Sequence, residues 1–362
     1  MFQEKRITLK NIAEMAGVSK AAVSGVLNNS LKINCSKSKR EHIFQLVKTY
    51  DYAPQSVARA LSTKRTYQIG FMVSTKVTLG IANAFFSTLM AGVQHVCQQR
   101  GYLLTVTAYD LSNFEDFVIP QKLKQQSVDG VIIAGSTAPE VVKLIQKFDI
   151  PFILFSDPLI VEPVCEKGEH NNIVCLSRDS LANNRLALEY LAKLGHKKIA
   201  ISDIPYCYRD IFCNIGVCSD LHLTRIADSE MDKFEYGIEL AKKWLATPKV
   251  ERYTAMFACD QICCGFLSAL HESGKAECPA DISLLSSCET ALCKLVYPKL
   301  TALDNDVYLH GTLGANILID VLDKKNSLND ARKLTEKFYK ASTLITRDSC
   351  GKNLKTDYFA NK

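Results

Sequence analysis

The 362-residue chain contains no apolar run of about 18 residues, the length a helix needs to cross a bilayer. It also has no cleavable apolar leader behind a basic start, because Met1 to Thr8 is polar and leads straight into a helical pattern. A cytoplasmic protein is therefore expected, and a membrane protein or exported protein is not. Although there are 14 cysteines, spread from Cys35 to Cys350, no C-x-x-C spacing occurs among them. A chain with 47% hydrophobic residues has a large core to bury and needs no disulfide framework, so reduced thiols are expected. Structural zinc draws its four ligands from paired short spacings. Cys259, Cys263 and Cys264 share one predicted helix with His271 two turns on, and are read as small apolar fillers rather than ligands. A phosphate-cradling glycine loop, a nucleophile elbow and a metal-ligand cluster are all missing. The sequence thus gives no footing for an enzyme, a metal site or a cofactor.

Basic charge is present, and it is unevenly placed. Up to Arg65 there are 12 Lys and Arg against 4 Asp and Glu; beyond it there are 32 against 34. All the excess positive charge sits in the first fifth of the chain. A small module of that kind is suited to a polyanion, while a nearly neutral body does something else.

The basic segment also carries helical order. Thr8 is placed to cap a first helix in which Leu9, Ile12 and Ala13 fall on one stripe, and Gly17 breaks the run. Ser19 is placed to cap a second helix whose Val23, Val26 and Leu27 face back toward the first. Lys20, Ala21, Ser24 and Gly25 are left facing outward. A third helix, Lys39 to Tyr50, presents Ile43, Leu46, Val47 and Tyr50. Two short helices at an angle on a third form a helix-turn-helix, which lays its second helix in a DNA major groove. The next segment, Tyr52 to Thr66, places Pro54 at a first helical position, with Val57, Ala58 and Leu61 on one face. A helix of about two turns is marginal alone, so it forms only when DNA or a second copy covers that face.

From Gln68 the pattern becomes strands alternating with helices. QIGFMVST, GYLLTVTAY, DGVIIAG and IPFILFSD read as strands; Ala84 to Arg100, Phe117 to Gln126 and Glu140 to Lys147 read as helices. The alternation resumes with helices over Ser180 to Leu194, Asp232 to Ala246 and Gln261 to Ser273, and with strands KKIAISD, TAMFACD and ISLLSS. Continuously apolar strands separated by helices indicate parallel sheets covered on both faces. The expected fold is α/β: an all-α DNA-binding domain followed by two doubly wound lobes, with a ligand cleft beyond the carboxyl ends of the strands. The expected organisation is 1–53 for the helix-turn-helix, 54–66 for the marginal short helix and linker, 67–350 for the two-lobed body and 351–362 for a tail.

On NIAEMAGVSKAAVSGVLNN and YAPQSVARALS, supported by ANAFFSTLMAGVQ, DGVIIAG, ALEYLAKLGHKKIAIS and CDQICCGFLSALHESG in order, the chain resembles the lactose-repressor and galactose-repressor family of bacterial transcription regulators over essentially its whole length. The resemblance implies a periplasmic-binding-protein-like body and a homodimer whose paired modules read a near-palindromic operator in double-stranded DNA. It implies a DNA face of Thr8, Ser19, Lys20, Ala21, Ser24, Gly25, Asn28, Asn29 and Arg40. It also implies a hinge in which Leu61 wedges into the minor groove while Ala58 packs against its dimer mate. Ala21 and Gly25 are small where relatives often carry polar or long side chains, so direct reading shifts toward Lys20, Ser24 and apolar contacts.

For the small-molecule cleft the resemblance implies Phe85 and Phe86 of the Asn83-Ala84-Phe85-Phe86 motif, then Ser156 and Asp157 after a strand. In the second lobe it implies Asp260, with Cys259 where an asparagine is usual; Arg209, because Cys213 occupies the usual arginine position; and the late polar Asn305. A carboxylate, a guanidinium and an amide suit sugar hydroxyls, and an aromatic face suits the apolar side of the ring. The function this implies is a repressor of a carbohydrate-utilisation operon released by a sugar-like effector. Alternatives are a regulator answering a nucleoside, purine or sugar phosphate, or one recruited to DNA by its ligand. A two-lobed solute-binding protein shares the body but has no use for residues 8–61. The tail lacks the leucine heptads of a tetramer seam, so a dimer is expected.

Overall fold

The computed structural model describes residues 7–27, 35–52, 60, 63–74, 80–115, 117–135, 137–155, 172–202, 221–226 and 231–353. The chain divides into two units, Met1–Tyr67 and Gln68–Lys362.

In the first unit Thr8 caps α1 (Leu9–Met15) through a reciprocal capping box: its hydroxyl accepts from the Asn11 backbone N–H at 3.3 Å, and the Asn11 side chain accepts from the Thr8 N–H at 3.0 Å. Gly17, at φ +62°, makes the left-handed step that ends the run, and the Val18 N–H returns to the Ala13 carbonyl. Ser19 caps α2 (Lys20–Leu27) by accepting from the Ala22 N–H at 3.1 Å. Ser36 does the same for α3 (Lys37–Thr49). The core of the unit is Ile12, Ala13, Val23, Val26 and Ile43, with Leu9, Leu27, Leu46 and Val47 packed around it.

Two expectations change here. Tyr50, assigned to the buried stripe of α3, is 45% exposed. The helix stops at Thr49, and Asp51 in the left-handed region turns the chain so that Tyr52 packs on the core instead. Gly25, expected to face outward, is buried, because a glycine offers only backbone, which the flanking side chains of a helix screen.

The second unit holds two sheets. In the first lobe β1 (Gln68–Ser74), β2 (Leu103–Tyr109), β3 (Gly130–Ala134), β4 (Phe152–Phe155) and β5 (Ile173–Cys175) pair in the order β2-β1-β3-β4-β5, all parallel. In the second, β6 (Lys198–Ile201), β7 (His222–Arg225), β8 (Ala255–Ala258), β9 (Ser283–Ser286), β10 (Thr301–Asp304) and β11 (Thr343–Ile345) run β11-β10-β9-β8-β6-β7, with only β11 antiparallel among them. Central strands such as β3 and β8 are buried along their whole length, as their unbroken apolar sequences require.

The helices that cover these sheets start where the sequence supplies caps. Asn83 caps α4 (Ala84–Gln99), Asp179 caps α7 (Ser180–Lys193) and Asp232 caps α8 (Lys233–Ala246), each accepting from backbone N–H groups. The helix expected over Phe117 to Gln126 contracts to α5 (Gln121–Lys124). Pro120 holds extended backbone at its start and Gln126 takes a positive φ at its end. The remaining helices are α6 (Pro139–Gln146), α9 (Asp260–Ser273), α10 (Ala291–Leu295), α11 (Val307–Leu322) and α12 (Leu328–Glu336).

After β10 the chain returns to the first lobe, where α11 lies along α4 and α12 packs on β5, before it comes back to add β11. The lobes are therefore joined by three crossings, at 176–179, 305–306 and 337–342. They are stitched together: Arg178 Nε donates to the Asn305 carbonyl at 3.1 Å, the Asp179 N–H to the Lys340 carbonyl at 3.3 Å, and Ser342 Oγ to Asn305 Oδ1 at 2.5 Å.

Candidate functional site

Two places merit attention, one in each unit. On the helix-turn-helix, Lys20 and Ala21 are exposed at the start of α2, and Ser24 is half-buried one turn on. Thr8 and Ser19 spend their hydroxyls as helix caps, which fixes the angle at which α2 leaves the turn. Arg40 is half-buried on α3. Asn28, Asn29, Ala58 and Leu61 lie outside the described residues, as do Ser156, Asp157 and Arg209.

In the second unit a cavity of about 310 Å³ opens between the lobes, at the carboxyl ends of the parallel strands. That volume is at the small end of the range for small-molecule sites. Its apolar walls come from Phe85, Phe86 and Leu89 on α4, Phe155 at the end of β4, Phe257 on β8, and Leu176, Leu303 and Val307. Phe85 and Phe86 meet edge to face, with ring centroids 5.2 Å apart. The preceding Asn83 accepts from the Phe85 N–H at 3.0 Å and donates across the cleft to Gln261 Oε1 at 3.4 Å, so the Asn-Ala-Phe-Phe motif presents the rings and also touches the opposite lobe.

Polar groups enter this cavity from the crossings. Asn305 is among them, yet much of its amide is already used: Nδ2 donates to the Ser287 carbonyl at 3.1 Å and Oδ1 accepts from Ser342. Arg178, Ser177, Asn183 and His310 also line it, and none of the four stood out in the sequence. His310 is 7% exposed. Its Nδ1 lies 3.1 Å from the Asp306 carbonyl, which can only accept, so the proton sits on Nδ1. Burial holds its pKa below the ordinary histidine value. Its Nε2 and the Ser177 hydroxyl are both buried and without a hydrogen-bond partner. Burial also lowers the pKa of the Arg178 guanidinium.

Asp260 is placed differently from the expectation. It is buried at the start of α9, accepts from the Thr290 hydroxyl at 2.5 Å and from the Gln261 N–H at 2.8 Å, and is not among the described residues lining the cavity. Cys263, Cys264 and Cys293 pack in the same core, where burial raises their thiol pKa values. Among the described residues no group of three or more His, Cys, Asp or Glu is arranged to hold a metal ion. No described helix is long and apolar enough to cross a membrane.

A helix-turn-helix followed by two parallel-sheet lobes defines a DNA-binding regulator with a binding-protein body. Residues 8–55 match the model for bacterial regulatory proteins of the lacI family, 66–207 that for the periplasmic binding proteins and sugar binding domain of the LacI family, and 220–350 a periplasmic binding protein-like domain. The chain belongs to the LacI family and is a transcriptional regulator. Among its relatives are the HTH-type transcriptional regulator RegA of Clostridium acetobutylicum, 28% identical over 95% of this chain and 99% of that protein, and the ribose operon repressor of Halalkalibacterium halodurans, 28% identical over 88% and 91%. In fold it is similar to the Lac repressor bound to ONPG in its repressed state, with a TM-score of 0.69 at 22% identity over 95% of this chain and all of that one.

Proposed function

We propose that this regulator is a cytoplasmic repressor that holds a near-palindromic operator as a homodimer and is released when a small sugar-like molecule occupies the interlobe cavity. The observation that carries the reading is the joining, in one chain, of a module with net charge +8 up to Arg65 to a small, aromatic-walled cavity at the lobe crossings. A solute-binding protein has no use for the first, and an architectural DNA protein has none for the second. Lys20, Ala21 and Ser24 read the major groove; Asn28, Asn29 and Arg40 contact phosphates; Leu61 and Ala58 form the hinge contact that lets the paired modules grip. Phe85, Phe86 and Asn305 meet the effector. A homodimer is further supported by Leu295 and Tyr297, which are 78% and 82% exposed beside α10.

The test begins with full-length protein and sheared genomic DNA of its host, with retained fragments sequenced and their affinity measured against salt. A shared palindromic motif, a steep salt slope, and release by one member of a sugar panel are expected. No preference for any genomic fragment over random duplex, with and without sugars, refutes the reading.

A further inference from the structure

Among the described residues that line the cavity, the polar side is unbalanced in charge. Arg178 lines it, its Nε donating to the Asn305 carbonyl at 3.1 Å, and takes part in no ion pair among the described residues. Asp304 and Asp306 act on it electrostatically, but neither lines the cavity; Asp306 is exposed, and Asp304 accepts from the Asp306 N–H at 2.8 Å. Asp260, the carboxylate that family resemblance places in the cleft, is held by Thr290 outside the lining. No described carboxylate therefore faces the cavity. Alongside, His310 is fixed by the neighbouring Asp306 carbonyl so that Nε2 presents a bare lone pair, and the Ser177 hydroxyl is equally unpartnered. Adjacent carbonyls, those of Asn305 and Asp306, thus hold a cation and an acceptor among the residues that line the cavity, where the rings of Phe85 and Phe86 also stand.

We propose that the ligand of this cavity is a compact hydroxylated anion, a sugar acid or sugar phosphate, whose anionic oxygens bind Arg178 and whose hydroxyls donate to His310 Nε2. A neutral sugar brings the guanidinium no charged partner on its cavity side, where no described carboxylate stands, and a ligand without hydroxyls leaves Nε2 orphaned. The apolar face of the ring lies on the phenylalanines. This inference rests on the reading of the cavity as the effector site and refines it from sugar-like to acidic sugar.

The test uses full-length protein, thermal-shift screening and calorimetry against matched sets: glucose, glucuronate, gluconate and glucose 6-phosphate, with ribose and ribose 5-phosphate. At least one acid should bind while its neutral parent does not; the carboxylate and phosphate arms separate the two sources of charge. Arg178→Gln should weaken that ligand about 30-fold, and Arg178→Lys by less. His310→Gln supplies a second reading if Arg178→Gln melts far below the parent, and should weaken the same ligand. A neutral sugar bound as tightly as its acid, undiminished acid binding in Arg178→Gln, or no binding by any acid of the panel overturns the proposal. An acid that binds without changing DNA retention upholds it and refutes the proposed function. A neutral sugar that binds and releases DNA does the reverse.

Discussion

The helices that wall the cavity, α4 and α11, touch through a pair of glycines, and Gly311→Ala tests how much the body depends on that contact. A Cβ on Gly311 would meet the Leu89 carbonyl oxygen and stand 3.2 Å from the Gly92 Cα; one on Gly92 would meet the Tyr308 carbonyl and stand 2.9 Å from the Thr312 nitrogen. These obstacles are backbone, which cannot rotate aside, so the helices must separate. Overpacking of this kind costs about 1 to 3 kcal/mol, and alanine returns about 0.5 to 1 kcal/mol through lower unfolded-state entropy and better helix propensity. With the contact on backbone, the upper end of the cost applies and a net loss of about 2 kcal/mol is expected. For a unit of this size that is roughly 3 °C in Tm, read by differential scanning calorimetry on the full chain. Thr88→Ala, at an exposed position on the same helix, should shift Tm far less. An alanine at 311 that melts at or above the parent refutes the reasoning, since helix propensity would then outweigh the crowding.

Three further outcomes follow from the structure. His196 bridges Thr254 Oγ1 and the Gly351 carbonyl, both at 3.0 Å, and burial depresses its pKa; the folded chain therefore binds this proton less readily than the unfolded chain. Its stabilisation is complete above the ordinary histidine value near 6.5 and is lost as pH falls below it, so Tm should drop between about pH 7.5 and 5.5, less steeply in His196→Gln. Glu289 accepts from both terminal nitrogens of Arg347, at 2.8 and 2.6 Å, and both side chains are nearly buried. Glu289→Gln should cost about 2 kcal/mol, seen as a lower urea midpoint at unchanged slope. Leu61→Ala should weaken operator binding about tenfold or more while leaving ligand affinity of the DNA-free protein intact, measured by separate titrations; equal loss of both refutes the hinge assignment.

What could be read in the sequence divides by the distance over which each feature is encoded. The helix-turn-helix was legible because its signals are local: Thr8, Gly17, Ser19 and a stripe at three-and-four spacing act within one or two turns. Parallel sheets were legible from apolar runs such as DGVIIAG. The cavity's polar wall was not, because Ser177 and Arg178 become neighbours of Asn305 and His310 only when the chain crosses between lobes, more than 120 positions apart in sequence. The one available signal was SRDS ahead of a strongly helical run, an arginine just before an N-cap aspartate, and it reads equally well as a solvated loop. The helix expected from Phe117 is shorter because the extended backbone at Pro120 delays its start, an effect that apolar spacing alone does not reveal.

The crossings also bear on how a ligand can influence the rest of the molecule. Lobes joined by three segments move by changing the backbone angles of those segments, and here the segments are tied to each other through Arg178, Asn305, Ser342 and Asn183, whose Oδ1 accepts from the Ser342 N–H at 2.6 Å. Arg178, Asn183 and Asn305 face the cavity as well. A molecule that bonds them competes for, or adds to, the hydrogen bonds that set the lobe angle, and the Asn83 to Gln261 contact across the cleft responds to the same angle. Binding energy and lobe orientation are thus expressed in one set of bonds. A ligand shifts a conformational equilibrium only by its differential affinity for the two states, and under the proposed reading recognition groups on the crossings supply such a differential.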